Sequence, residues 1–516
     1  MSDFITLISQ APFYKFVMIA QLLFPLLMAL ILFSVKGKNA KFIALLSSVV
    51  TLLLTVVVYQ QYAVAVQAQD PADPMVYQLQ LAGEWLSFIQ TKFSFGLDGL
   101  AMLMLFLTNI LVPIIIYSSF KDERPASFYA LILMMQFGLL GVFMSTDGLL
   151  FYLFWEITLI PIWFICGLFG TGENKNRVFL KFFIYTFFGS LFMLVGLIYT
   201  YLHTAGAHNY HIIALMQSEL SGKEQTFVFW MFFLAFAIKL PIFPFHTWQP
   251  DTYTQAPTQG SMLLSGIMLK MGVFGLMRYL IPLVPLAVTG LSGQIALVLS
   301  IIGIVYASII AITRKNIKQL IAYSSIAHVG LIAAGIFASA MVTNNCGVVN
   351  AEGMQGAAIQ MLAHGINVVG LFYVADILYK KYGTYNIKEM GGLAKAMPVF
   401  AVLFMIIAIG TMAVPLSNGF IGEFLLLKSV FNYNTIAAIF AGLTIILCAV
   451  YVLRMYSKTM FGEGDAVKLA KFSDISMGDT IALGIIAALI IICGIYPQPI
   501  LALTEKSVEF LLKGIR

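Results

Sequence analysis

Two lysines stand in the middle of stretches that are otherwise apolar enough to cross a membrane. Lys239 lies in FVFWMFFLAFAIKLPIFPFHTW and Lys270 in SMLLSGIMLKMGVFGLMRY. An ammonium at bilayer depth is costly and is retained where it pairs, conducts or binds. Lys239 is followed by Pro241 and Pro244. Each proline lacks an N–H and strands a carbonyl four residues back, so the helix breaks beside the charge. Broken helix at that depth is tolerated only inside protein or along a wet cavity. Four more ionisable residues share this apolar setting: Glu156 (LLFYLFWEITLIPIWF), His328 (IAYSSIAHVGLIAAG), His364 (IQMLAHGINVVGLF) and Glu423 (LSNGFIGEFLLLKSV). A carboxylate beside a lysine keeps the ammonium charged, while desolvation favours loss of its proton. A small movement of the carboxylate then frees the proton. Histidine titrates near neutrality and can pass protons between such groups. The chemistry implied is reversible proton binding along a buried path.

Each of these residues also has a structural reading. The lysines could rest on carbonyls, and the histidines could be hydrogen-bonded core residues. Glu423 could form a local pair with Lys428. Two lysines at mid-depth beside a glutamate weigh against that view for the first half of the set. His246, Asp251, Lys428, Asp98 and Glu123 form a supporting group. Asp98 and Glu123 fall near span ends, where capping or solvated charges are ordinary. His203, His208 and His211 share one loop, for which solvation is a more economical account than a metal site.

The elements that position these residues follow from composition. Of 516 residues, 60% are hydrophobic and only 10% charged, which marks an all-α polytopic membrane protein. A window of ~20 residues yields fourteen spans, centred on 14–35, 42–61, 97–119, 128–146, 148–170, 178–202, 226–246, 258–281, 289–312, 318–340, 355–379, 398–432, 436–457 and 478–499. Residues 500–516 read as a short amphipathic helix at a membrane face. Spans four to eight and nine to thirteen form two five-member sets. The fourth member of each is interrupted, at Pro241–Pro244 and at Pro415–Gly419. Five is odd, so the sets start from opposite sides, as inverted repeats do in ion-translocating folds. Four regions follow: 1–127, 128–281, 289–460 and 478–516.

Charge gives the orientation. Nineteen of the 29 Lys and Arg residues lie in loops after odd-numbered spans, which places those loops in the cytoplasm and both termini outside. The first apolar run reads as a retained span. The basic surplus is thus explained by topology and gives no sign of nucleic acid. The four cysteines (Cys166, Cys346, Cys448, Cys493) have neither CxxC nor CxxH spacing, so no zinc or iron–sulfur site is supported.

The run AIKLPIFPFHTWQPDTYTQAPTQGSMLLSGIMLKMGVFGLMRY, with IKQLIAYSSIAHVG and FYLFWEITLIP, closely resembles the antiporter-like membrane subunits of respiratory complex I and of Mrp-type sodium/proton antiporters. Lys-x-Pro, His-x-Trp-x-Pro-Asp, Ala-Pro and Leu-x-Lys-x-Gly occur in order, and the resemblance spans roughly residues 97–460. It implies that Glu156 and Lys239 form the carboxylate–lysine pair of the uptake half-channel. Lys270 would be the central lysine, His328 and His364 the relay, and Glu423 the exit residue. A glutamate in the second broken helix resembles the M-type branch, whereas L- and N-type members carry lysine there. Tyr253 and Gln249 depart from the pattern: a histidine and a leucine are usual at these places, both expected in the cytoplasmic loop. The implied setting is a bacterial plasma membrane, with L- and N-type subunits and the lipid bilayer as partners. FMN, iron–sulfur clusters, NADH and quinone would belong to partner subunits, with no cofactor in this chain. A Mrp-type antiporter or a membrane-bound hydrogenase-like complex is the alternative.

Overall fold

In the computed structural model the described residues are 12–35, 37, 39–69, 76–206, 208–462 and 464–515. Lys36 and Lys38, two of the nineteen basic residues in loops after odd-numbered spans, lie outside them, as do residues 1–11. Twelve helices are long and apolar enough to cross a membrane. These are α1 (Phe13–Ser34), α2 (Ala40–Ala68), α3 (Gly99–Ser118), α4 (Ala126–Met144), α5 (Gly148–Phe169), α6 (Lys175–Leu202), α9 (Thr258–Leu283), α10 (Leu291–Thr313), α11 (Ile317–Cys346), α12 (Glu352–Tyr382), α15 (Thr435–Met460) and α16 (Met477–Ile495). The other two expected spans are each divided. One is α7 (Gly222–Lys239) followed by the short α8 (Gln249–Gln255). The other is α13 (Pro398–Thr411) followed by α14 (Asn418–Tyr433). The chain ends in α17 (Gln498–Lys513), whose Thr504, Ser507, Val508, Leu511 and Leu512 face inward, as its amphipathic pattern requires.

Helix ends are set by local chemistry. Asp98 Oδ1 accepts from Ala101 N at the start of α3, Asp147 caps α5, and Asn316 caps α11. Gly347 and Gly383 close α11 and α12 in the left-handed region, at φ 65° and 74°. The hydrophobic windows of α9, α11 and α12 are wholly buried. These three helices carry Lys270, His328 and His364, so the ionisable set occupies the centre of the bundle.

The helical membrane fold carries one small β element that the spans did not reveal. Residues Gln78–Leu86 (β1) and Thr91–Leu97 (β2) form an antiparallel hairpin, with Gln78 opposite Leu97 and Leu86 opposite Thr91. A window wide enough to find a span averages out the period-two alternation of short strands. The hairpin packs Phe95 on Phe154 and Tyr77 on Phe510, and Ser94 Oγ lies 2.7 Å from Thr146 Oγ1.

The loops after odd-numbered spans gather on one face. Lys380 reaches Asp122, Lys381 donates to Ser473 O, and Asn316 bridges Asn386. This is the lysine-rich face.

Candidate functional site

Around Lys239 the two prolines redirect the backbone. Ile242 N–H donates to Ala237 O, which leaves the Ile238 carbonyl without its usual helical partner. The indole Nε1–H of Trp248 supplies it instead, at 2.9 Å. The Trp of the His-x-Trp-x-Pro run therefore seals the break. Lys181 steadies the same turn from α6, donating to Thr247 O and pairing with Asp251.

Lys239 is buried, and its Nζ lies 5.2 Å from the centre of the Trp155 ring. Glu156 is half-buried on α5, with Ser190 and Tyr152 as polar neighbours, and its Oε1 is buried with no hydrogen-bond partner among the described residues. The described residues show no direct ion pair between the two. The ammonium rests over the indole face, a cation–π site one residue before the carboxylate. Helix α7 meets α9 at glycines: a Cβ on Gly272 would stand 3.4 Å from Lys239 Cβ, and one on Gly275 would collide with Phe236.

Lys270 lies between two π-helical stretches of α9, Leu264–Met268 and Leu276–Leu280. Such wide turns leave carbonyls for other donors. Lys270 Nζ donates to Ser265 O at 2.6 Å and to His364 Nδ1 at 2.7 Å. When Lys270 is protonated it has no lone pair, so Nδ1 then accepts and His364 Nε2 carries the proton toward Ser325 Oγ, 3.1 Å away. Ser325 Oγ is also 3.1 Å from Ser265 Oγ.

The second cluster adjoins the first. The rings of His328 and His364 are 5.8 Å apart. His328 Nδ1 lies 2.8 Å from Glu423 Oε1, which also accepts from Gln360 Nε2 at 3.3 Å. His328 Nε2 is 3.5 Å from Cys448 Sγ. Ser324, Ser325, His328, Gln360, His364 and Thr411 line a cavity with room for about one water molecule. Glu423 occupies the second turn of α14, directly after the second break. Gly422 permits that approach, because a Cβ there would stand 2.5 Å from Gln360 Oε1.

The supporting residues divide. Asp98 is buried and hydrogen-bonded to Arg278, itself fully buried, so the pair ties α3 to the end of α9. His246 is buried beside Tyr306, and its Nδ1 has no hydrogen-bond partner among the described residues. Asp251 and Glu123 are exposed on the lysine-rich face, away from the central helices. Lys428 pairs with Glu352 at 2.5 Å, so the local Glu423–Lys428 pair is not formed. Five residues along a helix turn about 140°, which points the two side chains to different faces. The expected placing of Tyr253 and Gln249 in a loop is also corrected: both sit on α8 and are fully buried. His203 turns to Glu224, and His211 caps a short helix.

The sequence of the family described as NADH:quinone oxidoreductase/Mrp antiporter, transmembrane, matches residues 145–448. That segment contains Glu156, Lys239, Lys270, His328, His364 and Glu423. NADH-quinone oxidoreductase subunit M of Rickettsia typhi is 39% identical over 91% of this chain and 91% of its own length. The chain belongs to this family. F(420)H(2) dehydrogenase subunit M of Methanosarcina mazei is 35% identical over 95% of this chain and 96% of its own. A chain of respiratory complex I from Thermus thermophilus superposes with a TM-score of 0.85 at 27% identity, covering 97% of this chain and 100% of that one.

Sequence reasoning missed a further polar network at the lysine-rich face. Lys380 pairs with both Asp122 and Asp376, while Asp479 accepts from Lys121, Ser476 and Tyr373. Lys318 is buried and donates to Ala256 O at 2.7 Å. Only the four-residue spacing of Asp376 and Lys380 was visible in advance.

Proposed function

We propose that this chain is the M-type membrane-arm subunit of an NADH:quinone oxidoreductase and moves protons across the membrane. The observation that carries the reading is the adjoining pair of clusters, Lys270–His364–Ser325 and His328–Glu423. They lie on the wholly buried helices and beside the second break, with a water-sized cavity between them. Lys239 loads and releases a proton under the influence of Glu156. Lys270 receives it at the centre, the two histidines pass it on, and Glu423 releases it. NADH oxidation and electron transfer belong to partner subunits that hold FMN, iron–sulfur clusters and quinone, and L- and N-type subunits flank this one. The setting is a bacterial plasma membrane with the lysine-rich face in the cytoplasm. The Methanosarcina relative has a different donor in its name, which fits a proton module that does not itself select the electron donor.

The test is Lys270→Ala in the assembled complex. NADH-driven proton uptake by inverted vesicles should fall about tenfold or more, the scale of losing a positioned proton carrier. Wild-type uptake at wild-type assembly would overturn the reading.

A further inference from the structure

The second break leaves one carbonyl without its helical donor. Four residues after Thr411 stands Pro415, which has no N–H, and no other backbone N–H reaches Thr411 O among the described residues. The group that meets it comes from a different helix: Cys448 Sγ on α15, 3.4 Å away. The same buried sulfur lies 3.5 Å from His328 Nε2. A thiol has a single hydrogen. Given to the stranded carbonyl, it leaves only sulfur lone pairs toward His328, so Nε2 carries the hydrogen of the neutral imidazole. Nδ1, 2.8 Å from Glu423 Oε1, then bears a lone pair. Gln360 Nε2 donates to the same Oε1, whereas Glu423 Oε2 is buried with no partner among the described residues. A proton on the carboxyl therefore gains a hydrogen bond only at Oε1, facing Nδ1. The Tyr451 hydroxyl, 3.0 Å from Ser324 Oγ, also neighbours the sulfur; as a donor to it, Tyr451 leaves the thiol hydrogen on the carbonyl.

We propose that Cys448 is a positioning residue for the proton pair at the second break: its S–H occupies the stranded Thr411 carbonyl, its lone pair holds the His328 hydrogen on Nε2, and Nδ1 and Glu423 Oε1 are left to hold one proton between them. This rests on the proton-moving reading above. When the pair is loaded, that proton sits on Oε1 and is donated to Nδ1, or sits on Nδ1 and is donated to Oε1. When it has left, two lone pairs face each other 2.8 Å apart with nothing between them, and the next proton relieves that repulsion. In the other tautomer the hydrogen would lie on Nδ1, the empty pair would already be hydrogen-bonded, and nothing would draw the next proton in. The thiol itself neither gains nor loses a proton. At the first break Trp248 meets the Ile238 carbonyl in the same way; at the second, the group that seals the break also touches a proton carrier.

Cys448→Ser keeps one hydrogen to donate and lone pairs to accept, whereas Cys448→Val fills the site with carbon. In inverted vesicles carrying the whole assembled complex, NADH-driven proton uptake should fall severalfold in Cys448→Val and stay close to wild type in Cys448→Ser. A packing role would give the opposite order, because valine suits an apolar site better than serine. Cys448→Ala takes the place of Cys448→Val if the latter does not assemble. Infrared spectra of the complex supply the second readout: the carboxyl C=O absorption that Glu423→Gln abolishes should persist in Cys448→Ser and weaken in Cys448→Val. Lys270→Ala is measured alongside. If Lys270→Ala is inactive while Cys448→Val pumps as well as Cys448→Ser, the positioning role is overturned and the function stands. Loss of uptake in Cys448→Val with a wild-type carboxyl absorption overturns the positioning role too, since the sulfur would then act through packing. If Lys270→Ala pumps normally, the function itself is overturned.

Discussion

At the scale of single residues, charge in an apolar run was the legible signal. Lys239, Lys270, His328, His364 and Glu423 are all buried, and each stands out in the sequence because an ionisable group in an apolar run is costly. Partners were harder to see. Asp98 and Arg278 are 180 residues apart in sequence, and no periodicity links them. Glu423 and Lys428 looked like neighbours in sequence but face different ways on α14. Glu423 has two donors, His328 and Gln360, and this determines what its removal does. Glu423→Ala leaves a buried imidazole and a buried amide without their acceptor, so proton uptake should be lost. Glu423→Asp keeps a carboxylate and should retain more activity, measured as uptake per electron pair in the assembled complex. Equal uptake in the two variants would contradict a proton-carrying role. Glu156→Gln and Lys239→Ala should each lower uptake, and the double variant should be little worse than either single one. Multiplying defects would show that the two act independently.

At the scale of elements, prolines announced the breaks, while the devices that hold the breaks open were not legible. Pro241 and Pro415 marked where α7 and α13 stop, because a missing N–H is a property of one residue. That Trp248 returns to donate to Ile238 O depends on the path of the chain through the turn, and the π-helical stretches around Lys270 come from packing rather than composition. The hairpin at 78–97 was invisible to a span-sized window for the reason given above. Trp248→Phe should keep the aromatic packing and strand the Ile238 carbonyl, a loss of about 1–3 kcal/mol for an unmet buried acceptor. Thermal inactivation of the solubilised complex measures it, and an unchanged transition would remove the indole from this role. Asp147 gives a pH-dependent case. Burial pushes its carboxyl up to about 6, against hydrogen bonds from Leu150 and Leu149 N–H that favour the charge. A raised folded-state pKa means that ionisation of Asp147 destabilises the fold as pH rises from the unfolded value toward 6, and the penalty is complete above it. Asp147→Asn keeps the cap without the charge. It should raise the transition temperature at pH 7.5 and lose that advantage progressively as pH falls from about 6 toward the unfolded carboxylate value, about 4.

At the scale of the whole molecule, two sums taken over many residues pointed to the architecture: apolar length for the spans and basic residues for the sides. Both survive local errors, since misplacing one boundary changes neither. The structure puts the loops after odd-numbered spans on one face, tied together by Lys380, Lys381, Arg454 and Asn316. Which side of the membrane that face meets is a matter of physics outside the chain, because basic residues resist transfer during insertion. The native cysteines provide the measurement. Cys346 is exposed at the end of α11, on the face opposite the lysine-rich one, whereas Cys166 and Cys448 are buried. A membrane-impermeant maleimide applied to intact cells should therefore label Cys346. In a Cys346→Ser background, single cysteines in place of Lys175, Lys315 and Lys388 should stay unlabelled until the membrane is opened. Labelling of these three in intact cells, with Cys346 protected, would reverse the orientation. It would also exchange the membrane sides of uptake and release, while the order of the buried groups from Lys270 through His364 and His328 to Glu423 is set by the fold whichever side the lysine-rich face meets.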